Sequence, residues 1–316
     1  MYVRPPAVER LWRTPTPRCY NAFHQGIKRG IGVGKFERSW ALMKSSANIL
    51  RQDKELMLFP LFAGLASLAV IATFAWPVFT LVAHHRAGFE GERGHASPMF
   101  MLVSFLFYFV QYTVVIFFNT ALASAAMIRL DGGNPTVGDG IRLAMGKLPN
   151  IIGYALIAAT VGMILRALQE RFGIIGRIVV GMLGFGWTVA TFLVVPVLAA
   201  QDVGPVDAIK RSASLLKNTW GENLIGNAGI GLAGGLLTFG LILISAMLFV
   251  GAVATHSVAL MFVVGAAAVI GLVALSLFQT AMHGVYSAAL YRFAEDGDPG
   301  QGFDRALIES AFRQKK

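Results

Sequence analysis

Cysteine is nearly absent: Cys19 is the only one in the chain. A lone thiol allows no disulfide framework and no cysteine-based metal site. Charge is scarce too, with Asp, Glu, Lys and Arg making up 14% of residues, against about 25% in a soluble domain. None of these charges falls deep inside a long apolar run. That argues against ion-coupled transporters and proton pumps, which need an intramembrane charge as the coupling element. Gly-x-Ser-x-Gly, P-loop, His-Glu-x-x-His and paired-carboxylate patterns are all missing. The segments between apolar runs are too short for an enzyme domain. The expectation is a non-enzyme with no catalytic, cofactor-binding or metal-binding residues.

What the chain has is apolar surface. Hydrophobic residues make up 55% of its 316 positions, and the mean hydropathy is +0.62. Six runs are long enough to span a bilayer: Met57–Val82, Met99–Ile128, Ile151–Leu168, Ile178–Ala200, Leu224–Ala254 and Val258–Leu290. A spanning helix needs about 20 apolar residues, so the second, fifth and sixth runs should tilt or project. The expected fold is an all-α polytopic membrane bundle of six transmembrane helices.

Basic residues set the orientation. With the amino terminus in the cytoplasm, 22 of the 27 Lys and Arg fall on cytoplasmic segments and 5 on outer loops. Both termini are therefore expected inside, at the cell membrane. The loop 166–177, with Arg166, Arg171 and Arg177, is the local exception. The net charge of +10 flanks the spans, so anionic headgroups are the expected partner and nucleic acid is not.

Residues 1–35 hold four prolines, four glycines and seven basic residues against one acid, Glu9. That composition reads as a disordered basic tail, and the rest, 36–316, as one membrane domain. Outside the spans lie amphipathic stretches. Val206, Ile209, Ala213, Leu216 and Trp220 line one face of a helix, with Asp207, Lys210, Arg211, Ser214 and Lys217 opposite. Phe36, Trp40, Met43, Ala47 and Leu50 repeat the stripe, as do Val137, Ile141, Ala144 and Leu148. Such helices, about fifteen residues long and mixed in charge, are expected to lie along the cytoplasmic membrane surface.

The pattern repeats. Ala41–Arg51 aligns on Asp207–Lys217, pairing Lys44 with Lys210 and Ser46 with Ser212. Phe118-Asn-Thr-Ala-Leu122 resembles Phe278-Gln-Thr-Ala-Met282, and Ser124–Leu130 resembles Ser287–Phe293. An Asp-Gly turn follows each, at Asp131 and Asp296. Units of about 36–135 and 205–300 read as a duplication of a helical hairpin, with 136–204 a degenerate third copy.

Polar groups inside spans are few: Gln111 and Asn119 in the second, Gln279 and His283 in the sixth. They form a candidate intramembrane polar locus, to be weighed against simple interhelical hydrogen bonding. His84, His85 and His95 are metal-ligand types in a glycine-rich loop whose spacing matches no zinc pattern.

At Trp40, Asp53–Pro60, Val195–Pro205 and Lys210–Gly226 the chain resembles a family of uncharacterised prokaryotic six-span membrane proteins carrying a domain-of-unknown-function label. The resemblance covers about residues 36–314. More distantly, the pattern is similar to the membrane domain joined to some glycerophosphodiester phosphodiesterases. Their catalytic barrel has no counterpart here, so the resemblance implies fold and no activity. The first expectation for function is a non-catalytic membrane component acting through lipids, a membrane-protein partner or a second copy. The alternative is a channel or facilitator for a small apolar or lipid-like molecule, with an enzyme on lipid substrates third.

Overall fold

A computed structural model describes residues 35–84, 98–171, 174–220, 229–305 and 308. The tail before Lys35 and the loop carrying His85 and His95 lie outside the described residues. Among those described, the chain is all-α with no strand. Helix α1 (Lys35–Gln52) and a 3-10 turn (Lys54–Met57) lead into α2 (Leu58–His84). Then come α3 (Pro98–Leu130), α4 (Val137–Gly146), α5 (Leu148–Arg171), α6 (Ile174–Ala190), α7 (Val194–Ala200), α8 (Pro205–Trp220), α9 (Gly229–Ala254) and α10 (Val258–Asp296).

Six stretches are long and apolar enough to cross a membrane: Lys54–Pro77, Met101–Leu130, Leu148–Glu170, Gly176–Ala200, Gly234–Ala254 and Val258–Asp296. The protein is a multi-pass membrane protein. The expected spans coincide with these in order, with boundaries shifted by a few residues.

Burial is concentrated at one end of the bundle. Helices α3 and α10, 33 and 39 residues long, exceed what a bilayer core requires. Their surplus turns pack together. The first buried residue of α10 is Ala281, and the dense part of α3 runs from Thr120 to Ala126. Small residues make this seam: Ala121, Ala125 and Ala126 on α3, Ala281, Ala288 and Ala289 on α10. They let helix axes approach closely where no water-driven force acts. A methyl group on Gly284 would lie 2.4 Å from Leu122 Cδ2. Away from this end the spans present apolar faces outward, with Phe262 80% and Met247 79% exposed.

The short helices close the packed end, each burying one face. In α8 the buried residues are Ala208, Ser212, Leu215 and Leu216. The expected stripe is thus rotated: Val206 is exposed and Ile209 and Ala213 are half-buried. The reason is close packing, which favours the small Ala208 and Ser212 over the bulkier Val206. In α1 the buried residues are Leu42, Met43, Ser46, Ile49 and Leu50. The side chains of Phe36, Trp40 and Trp220 lie outside the described residues. Helix α4 starts with a capping box, Thr136 accepting from the Asp139 N–H at 3.2 Å while Asp139 accepts from the Thr136 N–H at 3.1 Å. These bonds hold the Asp139 carboxyl below the ordinary carboxylate range, the Thr136 hydroxyl contributing most. The cap is therefore present above that range and lost as pH falls through the depressed value.

The two Asp-Gly turns meet. Gly132 and Gly297 both take left-handed backbone, φ 88° and 72°, to end α3 and α10. The Gln301 N–H donates to the last carbonyl of α3, Leu130 O, at 2.8 Å. Gly300, at φ 86°, lies so close to Leu130 that a Cβ would stand 2.8 Å from that same oxygen. Arg292 of α10 pairs with Asp131 of the other turn. Phe303 and Ile308 are buried beyond this junction; Leu307 and Ala311 of the expected closing helix lie outside the described residues.

Candidate functional site

The fourth span is broken, and its sequence explains why. Pro196 lacks an N–H and its ring crowds the carbonyl four residues back, at Phe192. The chain tightens there, with the Phe192 N–H donating to Val189 O and the Val194 N–H to Thr191 O. The Leu193 N–H is thereby freed inside a buried region, and Ser212 of α8 takes it, Oγ accepting at 3.0 Å. This side chain, buried completely, answers the orphaned donor that a membrane interior does not tolerate. Sequence reasoning paired Ser212 with Ser46 but assigned it no role; the signal was Pro196 ending a turn that some neighbour must then satisfy. Ser46, at the corresponding place in α1, is also buried, and its hydroxyl has no hydrogen-bond partner among the described residues.

The four span polar residues go to different neighbours. Gln279 Nε2 donates to Gly234 O and to Thr238 Oγ1 of α9, both at 3.1 Å. Gly234 belongs there: a Cβ would stand 3.0 Å from Gln279 Oε1. His283, one turn on, is exposed and sets its ring edge-on to Phe192 at 5.5 Å, beside the α6–α7 break. Gln111 shares a face of α3 with Phe107 and Phe118, which meet Phe74 and Phe62 of α2. Its Oε1 is buried there without a partner. Asn119 is half-buried and makes no hydrogen bond with another described residue. Gln279 and His283 share a helix side, yet one turns to α9 and the other to Phe192. Replacing Gln279 by leucine removes two interhelical bonds worth about 0.6 kcal/mol each. Thermal unfolding in detergent should therefore show Gln279→Leu about 1 kcal/mol less stable, with Asn119→Leu close to wild type.

Charge is organised at the packed end. Asp53, 6% exposed, stands 3.8 Å from Arg129 at the end of α3. Burial pushes its carboxyl above the ordinary range, Arg129 opposes this, and Glu55 adds to it. Arg129 also donates to Gln52 Oε1 at 2.9 Å and to Gly133 O at 3.3 Å. Two residues beyond Asp53, Glu55 accepts from the Val137 N–H at 2.9 Å and so seats the first turn of α4. Lys147 reaches Asp202 at 3.2 Å, Gln201 Nε2 donates to Tyr291 OH at 2.9 Å, and Arg211 pairs with Glu295. These contacts tie the short helices to span ends. They are structural joints and place no nucleophile beside a base. Among the described residues no three His, Cys, Asp or Glu side chains gather as for a metal ion.

No curated protein matches the chain. The sequence pattern of a family described as "Family of unknown function (DUF6159)" matches residues 98–303, from the start of α3 to the turn after α10, and the chain belongs to that family.

Proposed function

We propose that this protein is a non-catalytic component of the cell membrane, both termini cytoplasmic, acting through membrane lipids or a membrane-protein partner, a second copy included. The observation that carries this reading is the matched construction of α1 and α8. Position by position they bury the same side: Leu42 and Ala208, Ser46 and Ser212, Ile49 and Leu215, Leu50 and Leu216. Opposite, they expose the same cations: Lys44 and Lys210, Arg51 and Lys217. A helix fixed to the bundle on one face and cationic on the other suits the anionic cytoplasmic leaflet. Helix packing supports the duplication behind it. Helix α4 packs on α3, α8 on α6 and α7, and α1 on α9 and α10. Each short helix thus rests on the preceding hairpin, and the first closes on the last, as rotation about a membrane-normal axis requires.

Channel activity would need a polar path past Gln111, Asn119, Gln279 and His283. The alanine seam between α3 and α10 and the local bonding of Gln279 favour the non-catalytic reading. Topology is tested in a Cys19→Ser background with single cysteines at exposed positions. A membrane-impermeant thiol reagent on intact cells should label Thr255→Cys and reach Ser214→Cys only after permeabilisation. Labelling of Ser214→Cys from outside overturns the orientation. Ser212 is unsuitable as a reporter because it is buried. Purification with native lipids and partners, read by mass spectrometry, tests the mode of action; a protein carrying neither selected lipid nor partner would overturn it.

A further inference from the structure

The three hairpins are not packed alike. The outer span α5 lies along α3 of the preceding hairpin, and α2 meets α10. By the same rule α9 should lie along α6, yet α9 packs on α10 and α1 and has no such packing on α6. Helices α6 and α10 come together at the Phe192–His283 contact, and the bundle closes below it through α7, α8 and α10. Outward from that contact the facing sides are bare. On α10 a stripe of Phe262, Val269, Val273, Ser276, Thr280 and His283 is exposed along its whole length. Its positions recur at helical spacing, so they form one face. On α6, Ile178, Met182 and Phe185 are exposed on the side that leads to Phe192.

The result is a wedge-shaped cleft that opens sideways toward the bilayer. Its walls are apolar and its inner end is polar, with Ser276, Thr280 and His283 on one wall. Helix α8 forms the sill: its middle is held at the α6–α7 break by the Ser212–Leu193 bond, and its last turns lead toward α9. Exposed Lys217 stands on that part and has no carboxylate partner among the described residues.

We infer that the cleft between α6 and α10 is a specific binding site for an anionic phospholipid, one acyl chain between the two helices and the headgroup at the sill beside Lys217. An apolar slot ending in hydroxyls and a cation matches the order of groups along such a lipid, and annular lipid on a convex helix face meets no such sequence. The inference rests on the lipid arm of the proposed function and narrows it to one place.

The test uses the full chain in nanodiscs of equal phosphatidylglycerol and phosphatidylcholine, released into the gas phase for native mass spectrometry. Wild type should retain phosphatidylglycerol in preference to phosphatidylcholine. Val273→Trp and Met182→Trp, one on each wall and both at exposed positions, should lose it. Leu68→Trp on the exposed side of α2 should keep it. Lys217→Glu should lower phosphatidylglycerol retention about fivefold or more, the effect of a lysine near an anionic surface, and leave phosphatidylcholine unchanged. Equal retention of the two lipids by wild type, or equal loss in Leu68→Trp and the cleft variants, overturns the site. Phosphatidylglycerol retained by all variants would remove the cleft while leaving the broader lipid reading intact. An intermolecular α6–α10 crosslink in place of lipid would assign the cleft to a second copy and overturn this inference too.

Discussion

Gly140→Leu should be the most damaging single substitution in α4, costing about 3 kcal/mol or more, because the clash is with backbone as well as with a ring. A Cβ at Gly140 would lie 2.7 Å from Ala121 O on α3 and 2.5 Å from Phe59 Cζ. Phe59 is almost fully buried and Ala121 wholly so, so neither can step aside without moving α2 or α3. Gly146, at the other end of the same helix, has nothing within 4 Å of where its Cβ would go. Gly146→Leu should then change stability little, and its helix propensity is better than glycine's. Thermal unfolding in detergent by size-exclusion fluorescence distinguishes the two. Equal midpoints for both variants would mean that α4 is not held against α3 as described.

Arg129→Ala and Asp53→Asn should have very unequal effects although they break the same pair. Removing Arg129 leaves the Asp53 carboxylate buried without its counter-charge and also ends the bonds to Gln52 and Gly133. Loss of one partner from a buried pair costs about 3–5 kcal/mol. Since Arg129 is partly exposed, the lower part of that range is expected. Removing the Asp53 charge instead relieves a group whose carboxyl burial already pushes upward, so Asp53→Asn should be near neutral. The pH dependence has a definite sign. A carboxyl raised in the folded state binds a proton there that the unfolded chain has released. Its contribution to stability is therefore greatest at low pH and falls as pH rises through the ordinary carboxylate range and above it. Asp53→Asn should abolish this component, and Arg129→Ala should enlarge it. A loss of stability in Asp53→Asn as large as that in Arg129→Ala would show that the pair stabilises through its charges, contrary to the dominance of burial.

Composition and periodicity alone determined the class of this protein. Apolar runs of spanning length are visible without a structure because a helix in lipid must satisfy its backbone internally, so length and hydropathy suffice to find it. The helix ends at Gly132 and Gly297 were legible for a similar reason: an Asp-Gly step after an apolar helix needs left-handed backbone that glycine supplies without strain. Only tertiary structure decided which face of α8 is buried, because Ala208 and Ser212 are small, and small residues carry no hydropathy signal for close contact. It also decided that Ser212 satisfies Leu193 and that Asp53 meets Arg129. Neither pairing follows from local sequence, since each joins groups from separate helices whose register is set by packing. The fate of Gln279 was equally invisible in one dimension. Amide and acceptor must be brought within hydrogen-bond reach, and the α9–α10 crossing, made possible by the missing side chain of Gly234, is what brings them there.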